Sequence, residues 1–494
     1  MDQATRKRYH YWQWRTIIVS MVVYAIYYFV RKNFSIAMPG LTAEYGISNT
    51  SFGVIIAIGS LIYGLSRFIN GFIVERVSTK VFMAIGLLLC AAANFAFGFG
   101  VDLSYLITGV HEGPQFVNML VLLMGVTIVL NQYFQGFGYP PCARMLPQWI
   151  SPGELATKMS IWNTSHSIGA FCAVVVCGLI MTNMGADMSG DSNVIARITA
   201  NLAASIKGWD DLSAADQAAK VMSYAGHYGA WRMCFIIPGI VAIGGAILCL
   251  LALKDTPQSV GLPEMEGTHT GKEVTEGKKG AHKAFLAHMV FRNKWIWMLS
   301  IANIFVYVLR MGVLDWGPKF LTEDRGMDIN GAAWSVAVFE LTAIVGTIFA
   351  GWASDHIFKG KSHRMCLFCM IGAVLFLGIF ALVPLPPVVS TLVLALSGFC
   401  IYGPQALIGI GSANQATKEA SATANGLAGI CGYVGSALSA LGVGFIADHF
   451  GWSSVFITFI VVGCIGAVIF AMMWKAPRDG YERSQQFTSK YTED

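Results

Sequence analysis

The sequence predicts an all-α membrane protein with twelve transmembrane helices in two pseudo-symmetric six-helix bundles, and three observations carry that expectation. Of 494 residues, 55% are hydrophobic and only 12% charged, with a mean hydropathy of +0.58, whereas soluble domains carry charge on about a quarter of their residues. At roughly 20 apolar residues per crossing, about twelve spans use half of the chain. The motifs of the first half recur in order in the second. The same composition excludes a disordered chain, a collagen and a disulfide-rich secreted scaffold.

Apolar windows fall near 16–38, 50–73, 81–99, 117–141, 158–182, 230–253, 295–314, 332–353, 364–385, 390–412, 422–446 and 452–474. The basic start (Arg6, Lys7, Arg8, Arg15) imitates a signal peptide, but the apolar run behind it is long and has no small-x-small site before Arg31, so a retained first helix is expected. Lys and Arg near helix ends favour the cytoplasmic side. With the N-terminus inside, that side holds Arg144, Lys158, Lys359, Lys361, Arg364 and the basic stretch Lys272 to Lys294. Both termini are therefore expected in the cytoplasm. The mixed-charge segment 183–229 is an unusually long outer loop with a short amphipathic helix expected around Ser213–Tyr224. The Gly, Lys, Glu and Thr-rich stretch 255–290 is the expected cytoplasmic linker between residues 1–254, the N-terminal bundle, and residues 291–494, the C-terminal bundle and its tail.

The eleven cysteines lie nearly all in apolar segments, and Cys366-x-x-Cys369 has no second pair or His nearby. Buried thiols are expected, with no metal and no cofactor. The repeat is carried by four pairs. Gly71-x-x-x-Glu75-Arg76-x-x-x-Lys80 recurs as Gly351-x-x-x-Asp355, and Arg31 recurs as Arg310. Gly138-Tyr139-Pro140 recurs as Gly403-Pro404, and Asn163 as Asn425. The Gly71 and Gly351 motifs are expected to brace helix ends during conformational change.

Ionised groups inside a bilayer cost at least about 2.5–3.5 kcal/mol and usually face a partner or a water-filled pathway. Arg31, Lys32, Arg67, His166, Arg310, Asp315 and Glu340 fall inside apolar windows or at their edges. Tyr24, Tyr28 and Arg31 share one helical face, as do Tyr63 with Arg67, Tyr307 with Arg310, and Asn163 with His166. Each charge also fits a structural pair or a snorkelling side chain, and Lys32 with Asp315 fits an ion pair that gates. Symmetry places Arg31 opposite Arg310. Two facing guanidiniums call for an oxyanion between them, and phosphate accepts a fork from each. His166 adds a donor when protonated. Glu340 has two fates, pairing with a basic residue or protonation.

Several segments carry a resemblance. They are Tyr27-Tyr28-Phe29-Val30-Arg31-Lys32-Asn33-Phe34, Phe134-Gln135-Gly136-Phe137-Gly138-Tyr139-Pro140-Pro141-Cys142, Trp162-Asn163-x-x-His166, Asp255-Thr256-Pro257-Gln258-Ser259-Val260-Gly261-Leu262-Pro263, Val306-Tyr307-x-Leu309-Arg310-x-Gly312-x-Leu314-Asp315-Trp316 and Ile401-Tyr402-Gly403-Pro404. Together they resemble the organophosphate:phosphate antiporter family of the major facilitator superfamily, over nearly the whole chain. Parallel six-helix repeats around a midplane site are the plan of that superfamily. The resemblance implies a multi-pass protein of the bacterial inner membrane that exchanges glycerol 3-phosphate for inorganic phosphate as its halves rock. Its partners would be those two anions and the lipid bilayer, with no nucleic acid, and a monomer is the family default. The resemblance also implies that Arg31 and Arg310 clamp phosphate, that His166 assists, and that Tyr24, Tyr28, Tyr63, Tyr307 and Tyr433 line the pocket. Arg67 stands where these carriers usually have lysine, and Tyr139 where they have tryptophan.

Hexose-phosphate members carry an Asp and a Lys in helix eleven where this chain has Asn425 and Ala428, which favours glycerol phosphate. A hexose-phosphate or phosphoglycerate antiporter and a membrane sugar-phosphate sensor are the alternatives. No Walker A loop, H-E-x-x-H helix or G-x-S-x-G elbow sits in a loop, so neither an enzyme nor a nucleotide-driven pump is expected.

Overall fold

The computed structural model describes residues 3–74, 77–150, 158–159, 161–206, 209–263 and 284–492. Among them are twelve helices long and apolar enough to cross a membrane. They are α1 (Gln3–Tyr45), α2 (Asn49–Arg67), α3 (Thr79–Gly98), α4 (Pro114–Leu146), α5 (Ile161–Asn183), α6 (Ala230–Ala252), α7 (Lys294–Glu323), α8 (Ile329–His356), α9 (Ser362–Leu382), α10 (Pro387–Thr417), α11 (Thr423–Phe450) and α12 (Trp452–Met472). The helix of α2 continues to Val74, and α10 runs into α11 through Thr417, whose φ of 61° breaks the helical path. A β-branched residue rarely adopts that conformation, so the backbone is strained at this junction.

The side chains are distributed as a lipid solvent requires. On α2, Val54, Ile58, Leu61, Leu65, Ile69 and Ile73 are exposed at intervals of three or four, while Ser60, Tyr63, Ser66 and Asn70 on the other side are buried. The apolar stripe thus faces outward and the polar one inward, as expected where lipid rather than water surrounds the helix. The buried polar groups are bonded: Ser66 Oγ donates to the Tyr133 carbonyl, and Asn70 Nδ2 to Ser66 Oγ at 2.7 Å.

By contacts the chain forms two units, Met1–His269 with Asp315–Ala337, and Thr270–Leu314 with Val338–Asp494. The tip of the α7–α8 hairpin is therefore counted with the first unit. Within each unit the same helix pair closes on a glycine. A Cβ on Gly169 of α5 would stand 2.8 Å from the Ala25 Cα of α1, and one on Gly435 of α11 would stand 2.9 Å from the Ile304 Cα of α7. Small residues let membrane helices approach this closely without a hydrophobic driving force.

Buried amides fix α1. Asn33 Nδ2 donates to Asn94 Oδ1 at 2.7 Å and to the Cys234 carbonyl at 2.9 Å, Asn131 Nδ2 donates to the Val30 carbonyl at 2.9 Å, and Tyr27 Oη donates to the Met83 carbonyl at 2.6 Å. The turn that bears Arg31 is thereby tied to α3, α4 and α6.

The start of the expected linker is folded. Asp255 accepts from Ser78 Oγ and Thr79 Oγ1, both at 2.5 Å, and from the Lys80 amide at 2.9 Å. It thus caps the positive N-terminal end of α3 with an anion. Arg8 donates to the Val260 carbonyl at 2.6 Å and Trp149 Nε1 to the Lys254 carbonyl at 3.1 Å. Burial opposes the Asp255 charge, yet the two hydroxyls, the amide and the Lys80 ammonium hold its carboxyl below the usual range. A lowered folded-state pKa contributes stability above the ordinary carboxylate range that is lost as pH falls through the folded value. Asp255→Asn is expected to lower stability in detergent by about 1–3 kcal/mol at neutral pH. Thermal unfolding across pH checks this, and the gap from the parent should close in acid.

Candidate functional site

In the first unit, α1, α2, α4 and α5 build a basic, aromatic cluster. The Arg31 guanidinium carbon lies 3.9 Å from the ring centre of Tyr63 on α2 and 5.4 Å from that of Tyr28 on its own helix. Arg67 lies 4.3 Å from the ring of Tyr139 on α4 and 5.9 Å from Tyr63. Tyr63 therefore has two arginines near its ring. Tyr24 packs on Tyr28 at 5.5 Å and on Trp162 of α5 at 4.8 Å, and Tyr139 reaches the same indole at 6.0 Å. Trp162 is fully buried and its Nε1 donates to Ser20 Oγ at 3.1 Å, which fixes the indole.

His166 lies 5.6 Å from Tyr28, ring centre to ring centre. Its Nδ1 bonds the Asn163 carbonyl. A carbonyl only accepts, so Nδ1 is the donor there and Nε2 is left as an acceptor; it lies 3.4 Å from Ser167 Oγ. Asn163 thus contributes its backbone, and its side chain is exposed.

The second unit builds a parallel arrangement from α7, α8, α10 and α11. Arg310 lies 4.5 Å from the ring centre of Tyr402 on α10 and 5.9 Å from that of Tyr307 on its own helix. Tyr402 Oη donates to Glu340 Oε1, and Glu340 is wholly buried. Arg310 on α7 and Glu340 on α8 thus meet at one phenol, Tyr402. Tyr433 of α11 closes on Tyr307 at 6.1 Å.

Two of these residues were visible in the sequence only as parts of longer segments, Trp162 and Tyr402. The rings nearest the three arginines, Tyr63, Tyr139 and Tyr402, all come from another helix. Helical periodicity ranks rings on the same helix first, so it selected Tyr28, Tyr63 and Tyr307 for these partners.

Of the pair expected to gate, Lys32 Nζ lies 2.5 Å from Asp315 Oδ1 with both side chains largely buried. Of the conformational motif, Gly71 lies in the continuation of α2, while Glu75 and Arg76 fall outside the described residues. The Lys80 amide bonds Asp255, and Gly351 and the exposed Asp355 sit near the end of α8. A residue read only for topology also acts here: Arg144 donates to the Val74 carbonyl and, at 2.8 Å, to the Val77 carbonyl. A cation so placed neutralises the negative end of the α2 helix.

Residues 20–440 match the model of the Major Facilitator Superfamily. The chain belongs to this superfamily. A glycerol-3-phosphate transporter of Bacillus subtilis is 34% identical over 91% of this chain and 90% of its own. A probable hexose phosphate transport protein of Chlamydia pneumoniae is 30% identical over 96% and 94%, and the membrane sensor protein UhpC of Salmonella typhimurium is 30% identical over 96% and 95%. Among solved structures, an inward-facing, unoccupied bacterial homolog of the human lysosomal transporter Spinster matches with a TM-score of 0.69 at 14% identity, covering 93% of this chain and 96% of that one. The facilitator fold of twelve helices expected from the repeat is thus the fold of this chain.

Tyr402→Phe removes one hydrogen bond from the buried Glu340 and leaves the ring under Arg310. It is expected to cost about 1–3 kcal/mol, measured as a lowered unfolding temperature in detergent, with Phe339→Leu as a packing control at a ring 5.9 Å from Tyr402.

Proposed function

We propose that this facilitator is a secondary antiporter that exchanges glycerol 3-phosphate, or a related small organophosphate, for inorganic phosphate by alternating access. The observation that supports it best is the pair of arginines, Arg31 and Arg310, each seated on a tyrosine face in its own unit. A guanidinium carries its N–H groups in a planar fork that matches the oxygens of phosphate. The 34% identity to a glycerol-3-phosphate transporter supports the same substrate.

In this proposal Arg31 and Arg310 bind the phosphoryl group, and His166, Arg67, Asn163 and the tyrosines Tyr24, Tyr28, Tyr63, Tyr307 and Tyr433 complete the site. Lys32, Asp315 and Glu340 exchange partners as the cycle proceeds, while Gly71, Glu75, Arg76, Lys80, Gly351 and Asp355 brace the ends of helices. The protein is a monomer in the inner membrane, with both termini cytoplasmic and halves 1–254 and 291–494 joined by 255–290. It is no enzyme and needs no cofactor. An empty site resists occlusion because its cations would be desolvated together. A bound anion relieves that cost, which couples each crossing to a loaded site. A sensor of sugar phosphates is the second reading, favoured by the identity to UhpC.

Proteoliposomes loaded with radiolabelled phosphate and challenged outside with glycerol 3-phosphate, glucose 6-phosphate or 3-phosphoglycerate test this. Efflux driven best by glycerol 3-phosphate is expected. A different ester in first place overturns the substrate, and no efflux with any ester overturns the antiporter in favour of the sensor. Arg31→Lys keeps the charge and loses the fork, and exchange is expected to fall about tenfold or more through weaker charged hydrogen bonds. Near-parental exchange by that variant removes Arg31 from the site.

A further inference from the structure

The segment between α5 and α6 is a folded cap. Its stem pairs Ala186 with Tyr228 in antiparallel fashion, and two helices follow, Ser192–Ser205 and Ala214–Ala225. Asp191 and Ser213 cap their N-termini. Val194, Ile198, Leu202, Trp209 and Val221 form a small core that includes Ala43 of α1. The cap is also tied to α1 by polar contacts: Asn201 Nδ2 donates to the Ala43 carbonyl at 3.0 Å, and Glu44 accepts from the Gly229 amide at 2.7 Å, while Trp231 Nε1 of α6 donates to the same carboxyl at 3.0 Å.

Its second helix also grips α7. Lys220 Nζ donates to the Thr322 carbonyl at 2.8 Å. One turn back along α7, Lys319 is wholly buried, pairs with Glu323 at 2.6 Å and donates to Thr42 Oγ1 of α1 at 2.5 Å. All these residues belong to the unit that includes Asp315–Ala337. The end of α7 is therefore held by Lys319 to α1 and by Lys220, with Tyr224 of the same helix at the Thr322 side chain, to a cap itself anchored on α1. Burial holds the Lys220 ammonium below the usual lysine range, against the pull of Glu323 and Asp216. A carbonyl at a helix end is a suitable acceptor for a cation in that setting.

We propose that the cap is a latch: its helix Ala214–Ala225 holds the end of α7 against α1 through Lys220, and opening on that face begins with release of the Thr322 carbonyl. This rests on the alternating-access reading for its purpose, though not for its contacts. Lys319 and Glu323 lie on the same helix, so their ion pair moves with α7. The bond from Lys319 to Thr42 is what seats α7 on α1, and Lys220 sets how readily that position is left.

Thr322→Cys is a probe beneath the cap, at a site 4% exposed; it leaves the carbonyl in place and replaces the hydroxyl that bonds the Lys319 carbonyl and Tyr224 equally in every background compared. In right-side-out vesicles its labelling by a membrane-impermeant maleimide, corrected for the parent's own cysteines, reads opening directly. Slow labelling is expected with Lys220 intact, about tenfold faster labelling with Lys220→Met, as befits a lost charged hydrogen bond, and slow labelling again with Lys220→Arg. Equal rates in all three overturn the latch. Where Lys220→Met does not accumulate as folded protein, Lys220→Gln carries the same comparison. Phosphate exchange in the same vesicles reports separately: accelerated labelling without exchange in the parent keeps the latch and removes the antiporter, whereas exchange with unchanged labelling does the reverse.

Discussion

A guanidinium in the interior of a membrane protein must replace the water it has lost, and in this chain tyrosine faces take part of that role. Arg31, Arg67 and Arg310 each lie within 4.5 Å of a ring centre. Cation–π attraction strengthens as solvent is removed, to about 2 kcal/mol or more. A ring beside each guanidinium thus offsets part of the cost of taking that charge out of water. The rings must then be held in place, which is the role of buried Trp162 below Tyr24 and Tyr139 and of Glu340 at the hydroxyl of Tyr402.

The same demand governs helix ends, where carbonyls and amides lack partners within the helix. Asp255 supplies an anion at the start of α3, and Arg144 supplies a cation at the end of α2. Arg364 does likewise near the end of α12, donating to the Trp474 carbonyl at 3.1 and 3.2 Å while lying 4.6 Å from that residue's ring. Charges that looked like topology signals in the sequence therefore also finish helices. The two roles agree, because a basic side chain at the membrane surface is close to whatever helix ends there.

The spans were legible because lipid imposes a long apolar run on any helix that crosses it. Each of the twelve apolar windows has its helix, although α1 and α7 extend well past theirs. The cap was half legible. Its second helix, Ala214–Ala225, falls where an amphipathic helix was expected, and its first, Ser192–Ser205, was not anticipated. The signal was present, with Asp191 as a cap and Val194, Ile198 and Leu202 at intervals of four, but it sits in a segment read for charge rather than for period.

The sequence by itself determined the solvent of this protein, the number of its crossings, the repeat between its halves and the helical faces that carry charge. These follow from composition and from 3.6-residue periodicity, which are properties of the chain at short range. Only the tertiary structure decided which ring takes each arginine, that Tyr402 joins Arg310 to Glu340, and that Lys220 reaches Thr322 across 102 residues of chain. Such pairings depend on which helices lie side by side and how they are rotated. Close contacts between buried backbones and side chains set that, through Gly169 on Ala25, Gly435 on Ile304 and the amides around Val30, and no local pattern in the sequence encodes it.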